Sequence, residues 1–126
     1  MNQYGEAAVQ AVKLYTAGRT RTPRDAWDEA AARVFGPGTS AQKGCPRNAF
    51  LGLCEEGLVR GVPQGSYCSS LKNKAYAVAA VALLRREPRL AQDPARLWNL
   101  VMKGEQKRHN SQMDVVAALW RAGLVG

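Results

Sequence analysis

No apolar run in this chain approaches the roughly 18 residues that a helical membrane span needs. The opening residues, Met1 to Glu6, also lack the basic and apolar regions of an export signal. A cytoplasmic protein with no membrane partner is expected. Cysteine is scarce, with residues at 45, 54 and 68 only. That odd number without paired spacing argues against a disulfide framework and for reduced thiols. Histidine occurs once, as His109. Together with the cysteines it makes a metal-binding set by count, yet none of these residues stands at the short spacing of a structural zinc knuckle, and neither metal nor other cofactor is expected. The glycine-rich run from Gly36 to Gly44 is not followed by Gly-Lys-Ser/Thr, and no parallel-sheet pattern surrounds it, so it reads as a helix terminator and a loop rather than a P-loop.

The residues that are present, 46% hydrophobic and 22% charged in a chain of 126, suit one domain over 1–126 that buries its core without staples. The sequence also repeats itself. Shifting Gly57 by 66 positions onto Gly123 carries Phe50 onto Val116, Leu53 onto Leu119, Cys54 onto Trp120 and Leu58-Val59 onto Leu124-Val125. Apolar residues at 49, 50, 53 and 54, and at 115, 116, 119 and 120, follow helical spacing. Each stripe ends on a glycine suited to a left-handed cap, with Leu58 or Leu124 folding back in the Schellman manner. Pro46 suits a first turn after Cys45, and Ser111-Gln112-Met113-Asp114 reads as a capping box.

The preceding elements match as well. Ala8, Ala11, Val12 and Tyr15 form a stripe that Gly18 can stop, and Ala77, Ala80, Val81 and Leu84 repeat it at an offset of 69. Thr22-Pro23 opens a helix carrying Trp27 that Gly36 ends, and Asp93-Pro94 opens one carrying Trp98. The expected fold is all-α: six main helices in two similar three-helix halves, 4–61 and 73–126, packed about a pseudo-twofold axis. The linker, 62–72, is rich in turn formers, and a short hairpin turning at Pro63-Gln64-Gly65 is an alternative reading of it. Trp27, Phe50, Trp98 and Trp120 are the expected large core side chains.

The run from Gly44 to Val59, with His109 to Val116 near the end, resembles a small bacterial family known only as a domain of unknown function. The likeness spans the whole chain. It implies a bacterial cytosolic protein and brings no activity, ligand or catalytic residue.

Charge is the remaining signal. Eighteen Lys and Arg against ten acids give +8, and the pI is near 9.9. Arg19, Arg21 and Arg24 gather in one connection, Arg85, Arg86 and Arg89 in the matching one, Lys43 and Arg47 flank Cys45, and Lys107 and Arg108 precede the last helix. Such a set suits the phosphate backbone of a nucleic acid. The stretch from Asn48 to Val62 also has the outline of a recognition helix running into a wing. The alternative is a protein-interaction or regulatory module, which predicts an exposed apolar patch. A third reading is a cysteine-dependent enzyme: Cys45 at a helix start beside Lys43 and Arg47, His109 as its base, and Asn48, Asn110 or Asp114 as orienter.

Overall fold

The computed structural model describes residues Asn2 to Gly126. Six helices form within them: α1 (Gln3–Thr16), α2 (Pro23–Phe35), α3 (Gly44–Glu55), α4 (Leu71–Arg86), α5 (Pro94–Met102) and α6 (Gln112–Arg121), with single 3₁₀ turns at Ser40–Gln42 and Pro88–Gln92. Most starts follow local chemistry. Asn2 Oδ1 accepts from the Tyr4 and Gly5 amides, Thr22 Oγ1 from Asp25 at 3.0 Å, Ser70 Oγ from Asn73 at 3.3 Å and Asp93 Oδ1 from Arg96 at 3.1 Å. These bonds satisfy amides that a helix leaves without an internal partner.

The ends of α3 and α6 are built alike. Gly57 and Gly123 take φ of 75° and 74°. The Leu58 amide donates to Leu53 O at 3.0 Å, and the Leu124 amide to Leu119 O at 2.9 Å. The two chain tails then meet at equivalent residues, where Val59 and Val125 form an isolated antiparallel bridge. This is the only strand-like pairing among the described residues. The alternative reading of a hairpin turning at Pro63-Gln64-Gly65 is not borne out, since no strand pairing forms there and Val59 pairs with Val125.

Packing exchanges elements between the halves: α1 lies on α6, α4 on α3, and α3 on α6. A Cβ added to Gly5 would stand 2.7 Å from the Ala118 Cβ, and one added to Gly52 would stand 2.7 Å from the Lys74 Cα. Glycine is required at both crossings by close helix approach. In the repeat register Gly5 corresponds to Lys74 and Ala118 to Gly52, so the second crossing is the first with the glycine on the opposite partner.

One hydrophobic cluster draws residues from all six helices. From Asn48 to Cys54 every residue of α3 is buried, and α6 is nearly as enclosed. A helix apolar on all sides belongs inside a domain. The recognition-helix reading of Asn48 to Val62 is therefore corrected: α3 has no free face to lay in a groove. Trp27, Phe50 and Trp98 are core residues as expected, whereas Trp120 and Tyr15 are only partly buried against the core.

Ser111 needs a second correction. It takes a left-handed conformation (φ 66°) and its hydroxyl caps nothing. His109 closes the start of α6 instead, its Nε2 accepting from the Met113 amide at 3.0 Å, while Gln112 Oε1 accepts from the Asn110 amide at 2.7 Å. The linker is organised by one carboxylate. Glu55 Oε1 accepts from the Tyr67 and Cys68 amides at 2.8 and 3.0 Å, and Oε2 meets Lys74 Nζ at 2.7 Å. The Lys74 ammonium, with those two amides, holds the Glu55 carboxyl down to about 2.

Candidate functional site

Of the eighteen Lys and Arg side chains, Arg33, Arg47, Lys74 and Arg89 reach a carboxylate within salt-bridge range among the described residues. Most of the surplus charge is thus not neutralised locally, and it gathers at two ends of the molecule.

One end surrounds the Val59–Val125 bridge. Gly61 lies against Thr16 at the close of α1, a Cβ there standing 2.7 Å from Thr16 Cγ2. At the close of α4, Arg85 Nη2 donates to Gly126 O at 3.5 Å. The connections bearing Arg19 and Arg21 and the turn bearing Arg85 and Arg86 therefore flank the same pair of tails. Arg85 and Arg86 occupy the last turn of α4, where cations complement the negative end of the helix dipole. Arg19 lines a shallow cleft with Lys13 and Arg33, Arg21 is exposed, and Arg89 pairs with Glu87 at 2.9 Å. Arg24 is engaged elsewhere, its Nε donating to Tyr67 O at 2.7 Å.

The opposite end is where α3, α4 and α6 begin. A cleft of about 230 Å³ opens there between Lys72, Tyr76, Lys107, Arg108, Cys45 and Asn110, and none of its lining residues is acidic. Lys107 Nζ donates to Tyr76 Oη at 2.9 Å, an arrangement that raises the pKa of the ammonium and fixes it at the cleft wall. The backbone behind it is fixed too, since Trp98 Nε1 donates to Lys107 O at 2.9 Å. Lys43 stands at the start of α3, its ammonium 5.8 Å from the Tyr4 ring centre. Here side-chain charge and helix dipoles have the same sign, so both favour an anion.

Lys72 is not singled out by sequence pattern as the other cations are. A signal was nonetheless available: it stands in the first turn of a helix that has no acid there, where a cation opposes the dipole. Arg47 departs from expectation in the other direction. Its Nε and Nη2 donate to the two Asp28 oxygens at 2.9 and 3.3 Å, a bidentate pair that neutralises it.

The fold brings the His109 loop to Cys45, in that Cys45 and Asn110 share the cleft. The imidazole itself is committed to packing and capping: its ring lies 5.1 Å from Trp98, and its Nε2 holds the Met113 amide. Burial lowers its pKa, with Asp114 partly opposing. Cys54 is sealed in the core and its thiol is pushed far up by burial. Cys68, also raised by burial, donates to Ser70 O at 3.2 Å. Among the described residues no group of three or more His, Cys, Asp or Glu side chains is placed to hold a metal, and no helix is long and apolar enough to cross a membrane.

These features define a small all-α protein with a closed core and a cationic cleft at three helix starts. The chain belongs to a family of unknown function, DUF6979, whose model matches residues 1–126. No curated protein and no solved structure matches it.

Proposed function

We propose that this protein binds nucleic acid through the phosphate backbone, with the cleft between Lys72, Lys107 and Arg108 as its principal phosphate seat. The observation that carries this reading is the convergence of three cations from two separate segments on the starts of three helices, in a cleft with no acid in its lining. Phosphate oxygens accept from both ammonium and guanidinium groups, and such contacts position a protein without reading bases. The buried α3 supports the same view, since backbone contact needs no helix in a groove. The cations around the tail bridge, Arg19, Arg21, Arg85 and Arg86, form a second and weaker positive surface. A protein-interaction module would instead present an apolar patch. The large hydrophobic residues exposed among the described ones are Leu71 and Leu100, on different helices.

Fluorescence anisotropy with labelled duplex and single-stranded oligonucleotides, measured over a range of salt, tests the reading. Log affinity is expected to fall linearly with log salt. Replacing Lys72, Lys107 and Arg108 with Gln should flatten that slope, by about 0.9 on duplex DNA for each phosphate the protein no longer neutralises. Replacing Arg85 and Arg86 should change it less, and neither set should disturb folding, because exposed charges contribute little to stability. Absence of binding at protein concentrations of about 100 µM, the weak limit of non-specific association, would overturn the proposal.

A further inference from the structure

Between α4 and α5 runs a groove of about 250 Å³ walled by Ala79, Ala82, Leu83, Leu100 and Val101, its other lining residues being Arg86 and Lys103. We infer that this groove docks an acidic amphipathic helix of a partner protein.

The first argument is what α4 leaves uncovered. From Ala75 to Leu84 the helix has no charged residue, yet it lies at the surface, with Ala75, Ala79 and Ala82 exposed and Val78 and Leu83 half-covered. A helix apolar on all sides belongs inside a structure, so one side of α4 lacks its cover. On α5, Leu100 is 38% exposed against the same groove. Apolar surface rimmed by charge marks a place where another macromolecule sits.

The first half of the chain shows what a solvated face looks like at the corresponding positions. At an offset of 69, α1 has Glu6, Gln10 and Lys13 where α4 has Ala75, Ala79 and Ala82. At an offset of 71, Glu29 stands on α2 where Leu100 stands on α5, and it pairs with Arg33 at 3.2 Å. The cleft beside α1 accordingly has Gln10, Lys13, Arg19 and Arg33 in its lining. Polar side chains suit this place when water is the neighbour, and α4 with α5 has an apolar residue at each of those positions.

Charge and size choose the occupant. No acid lines the groove, Arg86 and Lys103 do, and Arg96 stands one turn before Leu100 on α5. Carboxylates beside an apolar stripe complement that rim. A second copy meeting the groove face to face would instead bring Arg86, Arg96 and Lys103 against themselves. The volume is below the roughly 300 to 1,000 Å³ of small-molecule sites and suits side chains projecting from a helix laid along it. Its floor is made of small side chains, so this is a seat additional to the phosphate contacts, and it does not rest on the nucleic-acid reading.

The test is fluorescence anisotropy of a labelled peptide of about 15 residues, long enough to hold a helix, with Leu at three-and-four spacing and Glu beside it, against the same peptide with Lys in place of Glu. Saturable binding of the Glu peptide is expected, with ¹H–¹⁵N shifts centred on Ala79, Ala82, Leu83, Leu100 and Val101, and affinity about tenfold or more lower for the Lys peptide. The double variant Ala79→Gln and Ala82→Lys gives α4 the side chains that α1 has. It should lower affinity for the Glu peptide about tenfold even though it adds a positive charge, because docking needs the apolar floor. Leu100→Glu, which copies Glu29, should abolish peptide binding. The substituted side chains are exposed, so both variants should fold and bind oligonucleotides as the parent does. The inference is overturned by equal affinity for the two peptides, by shifts confined to the cationic cleft, by folded variants that bind the Glu peptide as the parent does, or by no saturation up to about 1 mM peptide, the weak end of the affinity scale. A parent that sediments as a dimer, and a Leu100→Glu protein that sediments as a monomer, would overturn it in favour of a second copy in the groove.

Discussion

The last turns of α3 and α6 make the same pair of hydrogen bonds to the same kinds of residue, and their tails meet at Val59 and Val125. Their first turns have nothing in common. At α6 the amides are closed by His109 Nε2 and by Gln112 folding back on Asn110. At α3 no side chain closes them. The molecule therefore contains its own control. Where the copies agree, the residues serve folding in both. Where they differ, α6 has satisfied its helix start internally, whereas α3 has left one open beside the cationic cleft.

The agreement is tested most severely in the core. Leu53 and Leu119 occupy equivalent positions, both are fully buried, and both lend their carbonyl to the helix cap. Leu53→Ala and Leu119→Ala should each cost about 3 to 5 kcal/mol, from reduced burial and an unfilled cavity. Urea denaturation of the two variants checks this. A large loss of stability in one and little in the other would break the equivalence that the repeat implies.

The parts of this fold that are local were legible in the sequence. The Thr22 and Asp93 caps with their prolines, the Gly18, Gly57 and Gly123 stops and the apolar stripes depend on residues within one helical turn of each other; the caps and stops stand where expected, and the stripes are buried except at partly covered residues such as Tyr15 and Trp120. Two failures involve partners far apart in the chain, and a third a near neighbour that spacing alone did not mark as a cap. Ser111 looked like a cap because Ser and Asp have the right spacing, but His109, which stacks on Trp98, reached the amide first. Arg24 and Arg47 looked free because their partners, Tyr67 O and Asp28, come from other elements. The proposed phosphate seat was half visible: Lys107 and Arg108 stood out as a basic run, whereas Lys72 acquires meaning only when three helix starts converge.

A finer comparison uses the two cap glycines. Either Gly→Ala change puts a side chain into the left-handed region, costing about 1 to 2 kcal/mol. At Gly123 nothing lies within 4 Å of the new Cβ, so that cost should stand alone. At Gly57 the Cβ would meet Gln64 Cγ at 2.6 Å, and displacing Gln64 also breaks its Nε2 bond to Glu56 O. Gly57→Ala should thus lower the melting temperature more than Gly123→Ala. Equal shifts would show that the linker contributes nothing to the first cap.

The smallest effect separates the two helix starts by pH. His109 accepts the Met113 amide only while its Nε2 carries no proton, and burial among Trp98 and the α6 start disfavours the charged ring. Asp114 pulls the pKa the other way and Lys43 adds to the depression, but burial is the largest cause. The folded-state pKa therefore lies below the unfolded value of about 6.5. A base depressed on folding takes up its proton more readily when unfolded, so its contribution is fully present above about pH 6.5 and declines as pH falls toward the folded value. The α6 start should loosen over that window, and the uncapped α3 start, which has no titrating side chain over its amides, should not. His109→Gln retains an acceptor without a titrating ring. It should cost about 1 kcal/mol at neutral pH, as removal of a cap commonly does, and it should remove the component of acid destabilisation that lies just below pH 6.5. Denaturant titrations of both proteins between about pH 8 and pH 5 measure the difference. Parallel stability curves for the parent and His109→Gln would show that the imidazole is not the cap that closes α6.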